Sequence, residues 1–426
     1  MNLLIFSNKF IQYIKQIVRL EILIFLIVIL LSIYSYIQIF TDNLFSEYSF
    51  NELFINYQAG LIRRGLLGEL FWQLDKHFSI NPKIFFGSII FIANLLQIYF
   101  MYFICKNFKN FNLLIILILF SPQLLLFTIY DENIYFLKDI FVKFTIFFHG
   151  YLVLKFNEEN YIKLLKKVLI PLITIVIFIH EYQVLFITIH ILITINFLKS
   201  TNQLRFSLKY YSYLIIPTLL VFIFIGNEDQ YEQLNNILKI YNVQVHPQLG
   251  GGLINLLGGF YKWHFFYFSY QDFINLFLSI FLSIIVPFII FKNLIFKGVI
   301  VLNRKIKNHY WMFFMPTLTC FFALDHGRNI SLIATHIFIF FMTLTVNKKK
   351  LSRLCHNTHK NFNKNIFLII FVFFYIFLWK LDQYAGFALQ GKETSIFKSS
   401  LFAELIKFVK FLYKFVDNNI FQLPNI

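Results

Sequence analysis

Charge is what this chain has least of. Only 14% of its 426 residues are Asp, Glu, Lys or Arg, against 58% hydrophobic residues, and its mean hydropathy is +0.68. So little charge argues against an ordinary soluble globule. Cysteine is nearly absent. Cys105, Cys320 and Cys355 have neither metal-ligand spacing nor the makings of a disulfide framework. The apolar runs do not alternate every second residue, which argues against a β-barrel. Glycine (15) and proline (8) are scarce, so apolar segments meet few helix breakers. Acids number 21 against 38 bases, a formal net charge of +17. Arginine is the rare base, with seven in the chain, so each marks a place where lysine would not serve.

What is present is apolar length. Runs of about 18 residues or more recur, each able to cross roughly 30 Å of hydrocarbon as a helix. The expected fold is all-α, a polytopic membrane helical bundle that forms one integral domain over residues 1–426. It has about eleven spans, one pair of them a short hairpin. The spans fall near 21–40, 84–104, 113–130, 136–154, 168–180, 184–198, 210–226, 272–291, 310–324, 329–346 and 365–381.

Charge sets the orientation. Segments 1–20, 105–112, 155–167, 199–209, 292–309 and 347–364 hold 23 of the 38 basic residues. Among the acids they hold only Glu158 and Glu159, with Glu21 at a boundary. Positive-inside bias places these segments and the N-terminus in the cytoplasm. The excess charge is then a topology signal that also suits anionic lipid, and nucleic acid is not an expected partner. The first span follows a basic leader (Lys9, Lys15, Arg19) with no small-residue cleavage site, and reads as a retained anchor. Residues 168–198 are long for one span and short for two. Bases flank both ends, so the stretch reads as a hairpin with His180-Glu181 at its outer turn, the alternative being one long tilted helix.

The outer segments are a first loop at 41–83 with an amphipathic helix, a long loop at 227–271, and the tail 382–426. Within the tail, "FKSSLFAELIKFVKFLYKFV" (397–416) has the spacing of an interfacial amphipathic helix. Nearly every unusual polar cluster falls on this outer face. "LIRRGLLGEL" carries Arg63, Arg64 and Glu69; its leucines from Leu61 to Leu70 fit a helix along the membrane, and its glycines allow close packing. "YDENIYFLKD" carries Asp131, Glu132, Lys138 and Asp139. "IHEYQ" places His180 and Glu181 at the end of an apolar run, where burial could raise the carboxyl pKa toward that of a base. "LDHGRN" holds Asp325, His326 and Arg328 in a turn that Gly327 would permit, with Asp able to polarise the imidazole. The long loop contributes His246 and the glycine-rich "QLGGGLINLLGG", which lacks a P-loop lysine. His149, His190 and His336 lie within apolar spans and read as satisfied core histidines.

The span number, the long outer loop and the outer collection of basic, acidic and histidine residues resemble GT-C-type membrane glycan enzymes. These include polyprenyl-phosphate-dependent glycosyltransferases and Wzy-type O-antigen or capsule polymerases. The resemblance is architectural. A paired-acid signature in the first outer loop is not evident, Asp42, Glu47, Glu52 and Glu69 being the nearest matches. It implies a bacterial inner-membrane transferase or polymerase of surface-polysaccharide assembly, acting on the outer face on polyprenyl-(di)phosphate-linked sugars. Arg63, Arg64 and Arg328 would bind the phosphate. His326, Asp325, Glu181 or His180 would handle the acceptor proton, with Glu69, Asp131, Glu132, Lys138 and His246 in support. No metal ligand set and no cofactor are expected, a divalent cation staying open; the partners are the polyprenyl-linked glycan and membrane lipid. Two rival readings remain: a transporter or lipid-linked glycan flippase, and a non-catalytic membrane assembly protein whose outer clusters pair with one another.

Overall fold

The computed structural model describes residues 20–41, 47–106, 123–124, 127, 135–198, 200–245, 270–289, 292, 300–301, 309, 311–317, 326–346, 375 and 410. The fold is all-α. Among the described residues, the extended structure is a two-residue antiparallel ladder, β1 (Ile300–Val301) with β2 (Thr345–Val346), which pairs Ile300 with Val346.

Local signals set several helix boundaries. α1 spans Leu20–Thr41, and α2 (Glu47–Asn51) runs into a 3-10 turn at Glu52–Phe54. α3 covers Leu66–Phe78 and α4 covers Pro82–Lys106. Asn81 starts α4: its side-chain oxygen accepts from the Lys83 amide at 2.9 Å, and Pro82 takes the first position, where no N–H is needed. α5 is Asp139–Lys155. α6 (Glu158–Leu164), capped by Asn157, continues through a π-helical turn at Leu165–Leu169 into α7 (Ile170–Ile179). α8 is Gln183–Phe197, and α9 (Thr201–Tyr211) leads through a short 3-10 turn into α10 (Ile215–Ile223). α11 (Glu228–Leu238) opens with a capping box between Asn227 and Gln230. α12 (Tyr270–Ile280), α13 (Phe314–Thr317) and α14 (His326–Met342) follow.

Among the described residues, Pro82–Cys105 and Thr201–Ile223 are helical stretches long and apolar enough to cross a membrane. The first coincides with the span expected near 84–104; the second overlaps the one expected near 210–226 but begins at Thr201, within the segment 199–209 assigned to the cytoplasm. The stretch 168–198 breaks at His180–Tyr182, where Gln183 N donates to His180 O at 3.2 Å and the chain reverses. It is a helical hairpin, not one long helix. The segments near 113–130, 365–381 and 397–416 lie almost wholly outside the described residues.

Two local expectations are corrected. The helix of the 41–83 segment begins at Leu66, so Leu61, Ile62 and both arginines precede it. The reason is Arg64, which sits at φ 65°, a left-handed conformation that no right-handed helix accepts. Gly327 and Arg328 lie in the first turn of α14, not in a reversal between helices.

Two buried clusters hold the bundle. One joins α4, α5, α7, α8 and α14 through residues such as Met101, Ile146, Ile173, Ile189 and Phe338. The other joins the 50–62 segment and α3 to α4 and α11 through Phe54, Phe71, Phe86 and Leu234. The rings of Phe54 and Phe86 pack at 5.1 Å and those of Phe54 and Phe71 at 5.4 Å. Burying each such side chain is worth about 1.5–3 kcal/mol, so this aromatic knot fixes α3 over the helix ends. Gly68 lets α3 come that close, because a Cβ there would stand 2.1 Å from the Ile55 carbonyl oxygen. α10 instead turns Ile215, Ile216, Leu219 and Ile223 outward, each more than half exposed.

Candidate ionic site beside an apolar cavity

The 52–64 segment, the start of α5, the α7–α8 turn and the start of α14 converge on one buried ionic cluster. Glu181 is its hub. Arg64 donates to it bidentately, Nε to Oε2 at 2.7 Å and Nη2 to Oε1 at 2.5 Å. Arg64 Nη1 also donates to Glu52 Oε1 at 3.1 Å. The left-handed backbone that aims Arg64 costs roughly 1–2 kcal/mol, an amount a bidentate charge-assisted pair offsets. Arg63 approaches the same carboxylate, Nη1 to Oε1 at 3.4 Å. Lys138 fastens the segment from below, its Nζ donating to the backbone carbonyls of Glu52 at 2.8 Å and Arg64 at 3.1 Å.

A second pair adjoins the first. Arg328 donates to Asp139, Nε to Oδ2 at 2.6 Å and Nη2 to Oδ1 at 3.0 Å. His180 lies between the pairs. Its Nε2 is 2.8 Å from Asp139 Oδ1 and its Nδ1 is 3.5 Å from Glu181 Oε2. With Nε2–H donating to Asp139, Nδ1 is the lone-pair nitrogen. The ring stacks on Tyr182 at 4.7 Å, which fixes its plane.

Burial and charge pull in opposite directions here. Burial disfavours the ionised Glu181, but Arg63 and Arg64 outweigh it and hold the carboxyl well below its ordinary range. The expectation of a raised carboxyl pKa is therefore reversed: Glu181 is an ion-pair acceptor, not a poised base. Burial likewise disfavours charge on Arg64, and Glu181 with Glu52 more than restores it. For Arg63 burial prevails over Glu181, and its pKa is lowered.

Arg63 also faces a cavity of about 290 Å³. The other walls are Tyr57, Leu61, Ile62, Leu66, Phe178, Leu220, Val221 and Phe224. The Arg63 amide donates to Phe224 O at 2.7 Å, which stitches the arginine segment to the end of α10. The cavity is thus apolar almost throughout, with Arg63 among its lining residues and Glu181 of the ionic cluster 3.4 Å from Arg63 Nη1. Among the described residues, no group of three or more His, Cys, Asp or Glu could hold a metal ion.

Of the residues singled out in the sequence, Arg63, Arg64, His180, Glu181 and Arg328 come together, and Lys138 braces them. Glu69 does not join them. It accepts from the Tyr57 amide at 3.0 Å and from Gln58 Nε2 at 2.9 Å, so it closes its own loop. Asp131, Glu132, His246, Asp325 and the His326 side chain lie outside the described residues. Asp139 and Glu52 were not singled out as site residues, yet they partner Arg328 and Arg64. Their signal was a carboxylate in an apolar chain, which is costly at depth unless paired. No family model, no curated protein and no solved structure matches the chain.

Proposed function

We propose that the protein is a bacterial inner-membrane glycan transferase or polymerase that acts, on the outer face, on sugars carried by a polyprenyl (di)phosphate. One observation carries this reading: an apolar cavity of about 290 Å³ with Arg63 in its wall. A prenyl phosphate has the complementary form, an apolar chain with an anionic head. Guanidinium suits phosphate because its planar donors meet two oxygens at once. The positive-inside charge pattern supports the polytopic, roughly eleven-span topology, with the C-terminal tail as an outer amphipathic helix.

The roles follow from the pairing. Arg64 and Arg328 are held by Glu181 and Asp139 through paired hydrogen bonds, whereas Arg63 meets Glu181 through a single longer contact of 3.4 Å. Arg64 and Arg328 position Glu181, Asp139 and His180. Arg63 holds the phosphate and stabilises its charge as it leaves. His180, oriented by Asp139, takes the acceptor proton at Nδ1. The acceptor oxygen then bonds to the anomeric carbon, the bond from that carbon to the phosphate oxygen breaks, and the phosphate departs as an anion.

The mutual pairing of Arg64, Glu181, Asp139 and Arg328 favours a second reading, a non-catalytic assembly protein. Single substitutions Arg63→Ala, Arg64→Ala and Arg328→Ala separate the two, with surface-polysaccharide ladders read on gels. Under the enzymatic reading Arg63→Ala loses long chains at normal protein level. Unchanged ladders for all three variants would overturn it.

A further inference from the structure

Below the ionic cluster the bundle encloses a second polar chain that glycan transfer does not use. It is built of groups that both donate and accept. His190 Nε2 lies 3.3 Å from Thr145 Oγ1 and 3.4 Å from Gln183 Nε2. The two histidines meet Nδ1 to Nδ1 at 2.9 Å, with rings parallel and 5.0 Å apart. His149 Nε2 lies 2.8 Å from the Tyr161 hydroxyl. That hydroxyl is 2.7 Å from Thr194 Oγ1, which is 2.8 Å from the Tyr211 hydroxyl. The links are unbroken from α8 and α5 to α6 and α9, and every member is buried.

The contact between two Nδ1 atoms makes the chain bistable. One histidine must carry its proton on Nδ1 and the other must not, so the two tautomers are coupled. In one state Tyr161 donates to His149, His149 Nδ1–H donates to His190, and His190 Nε2–H donates to Thr145. In the other, Gln183 donates to His190 Nε2, His190 Nδ1–H donates to His149, and His149 Nε2–H donates to Tyr161. Tyr161 then donates to Thr194, and Tyr211 can donate to the His190 carbonyl oxygen at 3.2 Å. Either direction satisfies the ring nitrogens. A core histidine pair kept only for packing needs one arrangement, whereas a hydrogen-bonded chain that is satisfied in both directions can pass a proton and reset.

We infer that His190, His149, Tyr161, Thr194 and Tyr211 form a proton relay through the bundle, giving the protein a proton-conducting activity. The inference uses the membrane-spanning topology proposed above and is independent of glycan chemistry. A proton arriving on His190 Nε2 displaces the one on Nδ1 to His149 Nδ1. His149 releases its Nε2 proton to the Tyr161 oxygen, and Tyr161 releases its own to Thr194 and on to Tyr211. Each group ends with as many protons as it began with, and the hydrogen bonds point the other way until they reorient. Conduction needs water to reach His190 Nε2 at one end and the Tyr211 hydroxyl at the other.

The two ends fit this use. Gln183 opens α8 directly after the His180 turn, so the relay starts beneath the ionic cluster. At the other end Tyr161 belongs to the helix that carries the exposed Lys163, and Tyr211 closes α9 two residues after Lys209. The titratable groups around the chain are known from each packed element. Asp139 and Lys143 stand above His149 on α5, with Lys143 Nζ donating to Ser331 Oγ at 2.7 Å. Arg328 and His336 come from α14, the His336 ring lying 6.2 Å from that of His190. His180 and Glu181 come from the α7–α8 turn, and Lys166 rests over the Tyr210 ring.

The test is proton flux through the purified full-length protein in phosphatidylcholine and phosphatidylglycerol vesicles. A potassium gradient with valinomycin sets the potential, and a trapped pH dye reports the flux. Wild type is expected to conduct above empty vesicles. Tyr161→Phe keeps the ring and removes an oxygen the relay needs, so its flux falls to that of empty vesicles. Thr194→Val makes the same break should Tyr161→Phe not fold, and Tyr213→Phe, on an exposed residue outside the chain, conducts as wild type. A wild type no different from empty vesicles, or a folded Tyr161→Phe and Thr194→Val that both conduct like wild type, overturns the inference. Polysaccharide ladders are read separately, so failure here leaves the glycan reading standing and the converse also holds.

Discussion

Two of the polar regions buried among the described residues are built differently. The first is charged: Glu52, Arg63, Arg64, Lys138, Asp139, Glu181 and Arg328 sit together at the ends of helices. The second is uncharged in its bonding: Thr145, His149, Tyr161, Gln183, His190, Thr194 and Tyr211 sit within helices. The same two helices feed both. Asp139 and His149 lie ten residues apart on α5, about 15 Å along the axis. Gln183 and His190 share α8 immediately after His180 and Glu181. Ions are tolerated in the first region because each carboxylate has a guanidinium. Around His149 and His190 an unpaired ion would cost several kcal/mol, and the side chains bonded there stay satisfied without net charge. The difference separates a region built of paired ions from one built of neutral hydrogen-bonding groups.

That contrast can be broken most forcefully at Asp139. Asp139→Ala leaves Arg328 buried without its carboxylate, and unfolding in detergent should show a loss of about 3–5 kcal/mol. The double variant Asp139→Ala with Arg328→Met should recover much of it, since removing both charges is far cheaper than removing one.

Glu181 gives the same contrast a pH signature. Its folded pKa is depressed below the ordinary 4.5. Its contribution to stability is therefore complete above pH 4.5 and disappears as pH falls through the lower folded value. Acid titration of thermal stability should show this fall in wild type, while Glu181→Gln starts lower and loses the Glu181-dependent part of the slope. An identical slope in both would mean that the arginines do not hold Glu181 ionised.

Arg63 should dissociate stability from activity. Arg63→Ala is expected to lower glycan transfer by about a hundredfold, the usual loss when one donor to a developing charge is removed. Its melting temperature should fall less than that of Arg64→Ala, because Arg64 makes the bidentate pair. A smaller effect is expected in the neutral region, where Tyr161→Phe should cost about 2 kcal/mol for the two buried hydrogen bonds of its hydroxyl. A loss as large as that of Asp139→Ala would erase the distinction between the regions.

Much of the first region was legible in the sequence. In a chain with seven arginines, Arg63, Arg64 and Arg328 demanded partners, and His180-Glu181 at the break of an apolar run was one of them. The hairpin at 168–198 was legible from bases at both ends. The partner of Arg328 was not, because Asp139 is 189 residues away and only the packing of α5 against α14 brings them together. Glu69 drew attention through its nearness to the arginines, yet it serves its own loop. The start of α3 was misplaced because arginine carries no mark of a left-handed backbone, which Arg64 adopts to reach Glu181. The histidines of the second region read as satisfied core residues, and His149 and His190 are so bonded. Their joining to Tyr161, Thr194 and Tyr211 depends on four helices meeting, which no local pattern records.

Arg63 as the residue that holds the phosphate of a polyprenyl-linked glycan is tested most directly by mass spectrometry of lipid-linked intermediates from cells lacking the gene, complemented with wild type or with Arg63→Ala. The deletion and Arg63→Ala are expected to accumulate the same polyprenyl-linked intermediate, and wild type to clear it. A single complete repeat unit would mark a polymerase, and a unit lacking one sugar would mark a transferase. Lipid-linked pools unchanged by the deletion, or cleared equally by Arg63→Ala, would contradict that role for Arg63.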